Sequence, residues 1–191
     1  MELFASRGFK GTTTREIALA AGVTEALIFR HFPTKESLYA AILEWRLAES
    51  EASGWRTEIE AHAARRDDRR LFKAMIARIL EFHHANPDFM RLMFYAVLEG
   101  HDLADSFRDK HVRPVFQFLE SYIDMRRREG AFRSCDPPAI VRALLGMPFY
   151  HSVLNNLFRC DLPDLSMDEA ADHFTNLVLE GLWAQDRESG R

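Results

Sequence analysis

Cysteine is nearly missing from this sequence: Cys135 and Cys160 are the only two, and they form no C-x-x-C pair. A disulfide framework and a thiolate metal knuckle are thereby excluded, and both residues read as small buried hydrophobes in a reducing compartment. Long apolar runs are missing as well. None approaches the roughly 20 residues that a bilayer span requires, and the opening MELFASRGFKG lacks the basic start and apolar stretch of a secretory signal. The expectation is a cytoplasmic protein with no membrane partner. Hairpin signals are absent too, since no Asn-Gly or Asp-Gly pair separates alternating apolar runs.

Positive charge is not in excess: 25 Lys and Arg face 29 Asp and Glu, a net of −4. Bulk, sequence-blind attraction to nucleic acid is disfavoured, although a local surface depends on where the cations lie. Residues 1–47 carry six cations (Arg7, Lys10, Arg15, Arg30, Lys35 and Arg46) against five Glu, a net of +1, so the remainder carries −5. Catalytic signatures are lacking. No G-x-S-x-G, P-loop or G-x-G-x-x-G occurs. A di-iron bundle needs two Glu-x-x-His motifs, and only Glu81-x-x-His84 fits. The eight histidines are scattered apart from adjacent His83 and His84. No catalytic residue, metal or cofactor is nominated, and an enzyme is not expected.

What remains is an ordinary soluble balance, 47% hydrophobic and 28% charged over 191 residues, with apolar residues recurring at three- and four-residue spacing. All-α is the class this pattern supports. Met1–Arg7 reads as a helix stopped by Gly8. Thr12-Thr13-Thr14 offers hydroxyl caps for a short helix to about Ala21, ended by Gly22. Thr24 caps Glu25–Phe32, Pro33 breaks it, and Thr34 caps a longer helix from Lys35. Further on, helices are expected over Arg69–Asn86, Asp88–Glu99, Asp102–Glu129 with a break near Pro114, Pro137–Phe158 with a kink at Pro148, and Met167–Gln185. The charged run 65–70 reads as a solvated linker and Arg126–Arg128 as a solvated helix end.

Function concentrates in residues 8–43. Two helices of about eight residues joined by Gly22-Val23 have the dimensions of a helix-turn-helix. Ile17, Ala18, Ala21, Val23, Ile28, Phe32 and Leu38 are its expected core. Hydroxyls and N–H groups at the Thr14 helix start, and Lys35 at the next, suit phosphate oxygens. Thr24, Glu25, Ala26 and Arg30 fall on or near a face that could read base edges in the major groove. On helix lengths alone, a capped helical hairpin with no nucleic-acid role is the better reading.

The stretches LFASRGFKGTTTREIALAAGV, T-E-A-L-I-F-R-H-F and P-T-K-E-S-L resemble the DNA-binding domain of the tetracycline-repressor (TetR) family of regulators. The likeness spans about 40 residues, and the glycine–aromatic–glycine spacing, the ALAAGV turn and the Lys before the next helix all fall at family positions. It implies that Thr14–Ala21 supports and Thr24–Phe32 reads DNA, with phosphate contacts from Thr13 or Thr14, His31 and Lys35. Position 29 is Phe where the family often has Tyr, so any contact from Phe29 is apolar. Met1 falls where the family is already well into its first helix, which favours a segment upstream of Met1 over a frayed helix end.

The domains implied are 1–46, a helix-turn-helix with a truncated first helix, and 47–191, a larger helical part for ligand binding and dimerisation. The resemblance implies a homodimer joined through the last two long helices, where Ala143, Gly146, Val153, Phe174, Val178, Gly181 and Leu182 offer small and apolar faces. A two-fold dimer implies a palindromic double-stranded DNA operator. Phe and Met crowd the central helices. With the family prior, a pocket for a small apolar ligand is expected among Phe82, His83, Met90, Met93, Phe94, Phe116, Met147, Tyr150 and His151, the polar members orienting it. Lack of an acidic cluster favours a neutral or anionic ligand over a dication. The function implied is a ligand-released repressor, and the alternative is a helical small-molecule-binding or interaction protein that ignores DNA.

Overall fold

The computed structural model describes residues 1–51, 54–100, 102–158 and 165–183. Cys160 and the expected end of the last helix at 184–185 lie outside the described residues. Among these the secondary structure is helical, apart from one isolated bridge between Phe132 and Trp183. Helices run over Glu2–Arg7 (α1), Thr14–Ala21 (α2), Glu25–His31 (α3), Lys35–Glu51 (α4), Trp55–Ala64 (α5), Asp68–Ala85 (α6), Pro87–Leu98 (α7), Asp102–Phe107 (α8), Arg113–Arg128 (α9), Pro137–Val153 (α10) and Met167–Leu182 (α11). Short π-helical segments, Arg108–Val112 and Leu154–Phe158, precede α9 and follow α10. The all-α reading holds, and the break expected near Pro114 is the first π segment, with Pro114 seated in the first turn of α9. α5 is absent from the sequence reading, because WRTEIEAHAA is short and only weakly amphipathic.

Packing divides the chain into two compact units: Met1–Gly54 with Ala85–Arg108, and Trp55–His84 with Asp109–Arg191. In the first unit, α1 lies against α7 and α2 against α3. An aromatic cluster anchors it. The Phe4 and Phe9 rings meet Tyr39 edge-on at 4.8 and 5.4 Å, and the buried Tyr39 hydroxyl donates to the Leu92 carbonyl at 2.7 Å. Burial raises the Tyr39 pKa, so the phenol stays protonated and remains a donor.

The second unit has a continuous apolar core drawn from α5, α6, α9, α10 and α11, including Ile59, Leu71, Phe72, Ile76, Leu119, Ile123, Val141, Leu144, Ala171 and Leu179. One polar network crosses it. Arg126 forks onto Asp68 through two bonds of 2.8 Å, and the Tyr122 hydroxyl donates to the same carboxylate at 2.6 Å. Arg126 also reaches Glu129 at 2.7 Å, and Arg66 meets Glu129 at 3.0 Å. This corrects the two charged-run expectations at one residue each, since Arg65, Arg66, Arg69, Arg70, Arg127 and Arg128 are exposed as expected. Asp68 is buried and opens α6, and Arg126 is largely covered, because a bidentate guanidinium–carboxylate pair satisfies both charges away from water. The hydrogen bond to Asp68 is the main cause raising the Arg126 pKa.

Candidate nucleic-acid interface

The turn that presents α3 is built by particular residues. Thr13 caps α2 with a full capping box: its hydroxyl oxygen accepts from the Glu16 N–H at 3.2 Å, and the Glu16 carboxylate accepts from the Thr13 N–H at 2.9 Å. Hydrogen bonds donated to that carboxylate, first by the Thr13 N–H and then by the Thr13 hydroxyl, lower the Glu16 pKa, and Arg7 joins the same carboxylate at 2.8 Å. Gly22 ends α2 at φ 68°, ψ 28°, a left-handed conformation that glycine adopts without a Cβ clash. Gly11 is constrained differently. A Cβ there would fall 2.2 Å from the Arg7 carbonyl oxygen, so the end of α1 and the following turn approach as closely as they do only because that position has no side chain. Thr24 then caps α3, its hydroxyl accepting from the Leu27 N–H at 3.2 Å.

Burial within α2 and α3 separates an inner from an outer face. Ala18, Ile28 and Leu38 form the small core, with Ile17, Phe32 and Ile42 packed on it. Ala21 and Val23, expected inside, are exposed, because the Gly22 turn carries the chain outward just there. Thr24, Ala26, Phe29, Arg30 and His31 are exposed along α3, and Glu25 is half-buried. Leu27 is exposed beside them, as is Leu19 at the end of α2, 83% open to solvent. The sequence reading gave neither leucine a place, in the core or on the outer face.

Of the residues nominated for phosphate or base contact, Thr13, Thr14, Glu25 and Lys35, besides the capping Thr24, already have partners in the free protein. The Thr14 hydroxyl donates to the Glu25 carboxylate. Thr13 donates both its N–H and its hydroxyl to Glu16. The Lys35 ammonium donates to the carbonyls of Phe9 at 2.8 Å and Thr12 at 3.0 Å and sits 4.1 Å from the centre of the Phe9 ring. Lys35 therefore ties the α1–α2 turn to the start of α4, a role that its sequence position beside a helix start does not reveal.

The nine residues nominated for a pocket divide between the units. Met90 is buried, Met93 half-buried and Phe94 exposed in the first unit. In the second, Phe82, His83, Phe116, Met147 and His151 are half-buried, and Tyr150 is exposed. Phe116 and Met147 pack onto the second unit's apolar core. The His83 ring lies edge-on to Phe149 at 5.7 Å, and its buried Nδ1 has no hydrogen-bond partner among the described residues. Burial pushes its pKa down to about 4, so the imidazole is neutral near pH 7. One cavity in this unit, about 200 Å³, lies elsewhere, walled by Trp55, Arg56, Ile59, Glu60, Met75, Pro114, Val115 and Phe118. None of the nine is on its wall.

On the helices nominated for dimerisation, Val153, Val178 and Leu182 are buried within the chain's own second unit and are not available to a partner. Ala143 and Gly146 are exposed on α10, and Phe174 and Gly181 are half-buried on α11. Apolar neighbours widen these faces: Phe149 and Tyr150 on α10, and Leu177, 62% open, on α11. No helix among the described residues is long and apolar enough to cross a membrane, and the described residues hold no cluster of three or more His, Cys, Asp or Glu suited to a metal ion.

Residues 1–42 match the family described as bacterial regulatory proteins, tetR family. Over 189 residues the chain is 29% identical to the nucleoid occlusion factor SlmA of Marinobacter nauticus, an alignment covering 96% of this chain and 91% of that protein. A 43-residue stretch is 49% identical to YvkB of Bacillus subtilis, an uncharacterized HTH-type transcriptional regulator, and covers 22% of this chain and 23% of that one. Among solved structures, AibR in complex with isovaleryl coenzyme A and operator DNA is similar in fold, with a TM-score of 0.68 at 21% identity, covering 92% of this chain and 91% of that one.

Proposed function

We propose, from the premise that this chain belongs to the tetR family of bacterial regulatory proteins through its N-terminal domain, that it is a ligand-responsive transcriptional regulator acting in the cytoplasm as a homodimer. Residues 1–46 read DNA, and residues 47–191 hold the ligand and the dimer interface. The observation that carries this reading is the outer face of α3. Ile28 is locked into the core, while Thr24, Ala26, Phe29 and Arg30 face solvent on a helix whose start and preceding turn are fixed by a cap and a left-handed glycine.

Each residue has a task set by its chemistry. Arg30 donates to a guanine edge or a phosphate, and Ala26 and Phe29 meet thymine methyls or sugar by apolar contact. Glu25 accepts from a cytosine amine once Thr14 releases it, and the freed Thr14 hydroxyl turns to phosphate. Thr13 and His31 flank the groove as further phosphate contacts, and Lys35 supports the turn and adds local positive charge. Two copies associate through the exposed faces of α10 and α11, at Ala143, Gly146, Phe149 and Tyr150 with Phe174, Leu177 and Gly181. Two-fold symmetry then sets paired recognition helices against half-sites roughly 34–36 Å apart. A small apolar ligand that favours a dimer with wrongly spaced recognition helices lowers operator affinity, and a coupling of about 1–3 kcal/mol changes it roughly 5- to 150-fold.

The experiment is a mobility-shift titration with the DNA upstream of the chain's own gene over a series of salt concentrations. Saturable, salt-sensitive binding that Arg30→Ala alters in base preference supports the reading. Binding equal to that on unrelated DNA of the same length would leave the alternative, a helical binding protein without DNA recognition. The near full-length match to a nucleoid occlusion factor favours a second reading, in which DNA is bound but the output is not transcription. Expression from a promoter carrying the bound site, with and without this protein, separates the two.

A further inference from the structure

Three threonines stand in a row at the start of α2, and all three hydroxyls are committed in the free protein. Thr12 is buried and donates to the carbonyls of Leu3 and Gly8 at 3.1 and 2.9 Å. Thr13 donates to Glu16 within the cap of its own helix. Of the three, only Thr14 donates to a residue of α3, the Glu25 carboxylate in that helix's first turn. A base edge that meets α3 can therefore change the state of one hydroxyl in the row. The acids of the two helices differ as well. Glu16 is compensated by Arg7 at 2.8 Å, whereas Glu25 has no cation in contact among the described residues and is held by the Thr14 hydroxyl.

Donor chemistry makes the two possible partners of Thr14 exclusive. A threonine hydroxyl has one proton to donate, while an ionised carboxylate only accepts. A phosphate oxygen is likewise an acceptor, so Thr14 serves Glu25 or the DNA backbone, but not both at once. Glu25, once released, needs another donor, because a carboxylate set against acceptors is left unpaired. In the major groove cytosine offers an amine with no acceptor beside it. Guanine presents N7 and O6, thymine O4 and a methyl, and adenine sets N7 next to its amine.

We infer that Glu25 is a latch on Thr14: the phosphate contact forms where cytosine takes over Glu25 and is withheld on other bases. Backbone contacts ordinarily carry no sequence information, and the latch makes one of them depend on the base. A wrong base then forfeits two contacts, and the Thr14–Glu25 bond holds down affinity for unrelated DNA. This deepens the regulator reading and rests on it.

The test is a set of anisotropy titrations of the full chain on three duplexes. One is selected by the wild type from a randomised pool, one has the cytosine read by Glu25 replaced by thymine, and one is unrelated DNA of equal length. Glu25→Ala is expected to erase the preference for cytosine and to tighten binding to the thymine duplex about threefold to tenfold. Thr14→Val is expected to weaken binding to the cytosine duplex by about threefold to tenfold and to leave the thymine duplex within about twofold. With E25A also present, T14V should weaken the thymine duplex about threefold to tenfold. Thr14→Ser keeps the hydroxyl and should behave as the wild type. Equal losses from T14V on the cytosine and thymine duplexes, an undiminished E25A gain in the T14V background, or a base preference unmoved by E25A would overturn the latch. Those outcomes presuppose sequence-specific binding by the wild type and count against the latch alone. Wild-type binding no tighter on the selected duplex than on unrelated DNA counts against the regulator reading, and the latch falls with it.

Discussion

The first unit of this chain takes its geometry from single residues, whereas the second takes it from a broad apolar core with one ionic network set into it. In the first, Gly11, Thr13 and Gly22 each hold a position that few residue types can fill. In the second, Leu71, Ile76, Leu144 and Leu179 are deeply buried, yet many hydrophobes of similar volume would serve in their places. A surface that must meet a fixed partner such as DNA tolerates little movement, while a region that must admit a ligand needs only volume and a few polar groups. The difference also predicts how each region fails.

The largest effect is expected in the second unit. Asp68→Ala removes the carboxylate beneath Arg126, leaving two of the guanidinium nitrogens and the Tyr122 hydroxyl without their acceptor and Glu129 as the remaining partner of a covered cation. A loss of about 3–5 kcal/mol is expected in urea unfolding, and the double variant D68A/R126M should recover much of it. A loss under about 1 kcal/mol would mean that apolar packing alone holds this unit.

In the first unit, Gly11→Ala drives a Cβ onto the Arg7 carbonyl, and a cost of about 3 kcal/mol is expected because backbone must yield. Amide exchange should quicken first in α1 and α2. Unchanged protection there would undo the claim that single residues set this unit's geometry.

The third effect depends on pH. Burial depresses the His83 pKa from 6.5 to about 4, so the unfolded chain takes up the proton before the folded one does. The stabilising contribution of neutral His83 is complete above pH 6.5 and is lost as pH falls toward 4, at most about 3 kcal/mol. Roughly 2 kcal/mol of it falls between pH 6.5 and 5, before most carboxylates titrate. Thermal melts of the wild type should decline over that window and those of His83→Gln should decline less, the remainder coming from His151, whose pKa burial also lowers. Parallel curves would show that the ring reaches solvent.

The smallest effect belongs to Gly22→Ala, about 1 kcal/mol from placing a Cβ on left-handed backbone in open space. Its expected signature is weaker DNA binding at nearly unchanged melting temperature. Equal losses in both would make Gly22 an ordinary stability residue.

The sequence reveals these two regions unequally for the same reason. Caps, glycine punctuation and the Pro33 break are local signals, so α2, α3 and the start of α4 could be placed within a residue or so. Thr13 was identifiable as a cap, but its reciprocal bonds to Glu16, the Thr14–Glu25 contact and the grip of Lys35 on the Phe9 and Thr12 carbonyls depend on side-chain directions that spacing does not encode. In the second unit the helix pattern was readable and the partnerships were not. Asp68 and Arg126 are separated by 58 positions, and each stood in a charged run that by composition alone reads as solvated. The cavity escaped for a related reason: Trp55 and Ile59 belong to a helix too short and weakly patterned to notice. Helical periodicity tells which face is inward, but not which inward face leaves a space.

Selection from a pool of randomised duplexes tests the central claim, that the outer face of α3 reads base edges, most directly. The wild-type protein is predicted to enrich a two-fold symmetric sequence with half-site centres about one helical turn apart, and Arg30→Ala to relax the preference at matched positions in both halves. Enrichment of no sequence, or of one that Arg30→Ala, Ala26→Asp and Phe29→Ala all leave untouched, would contradict it.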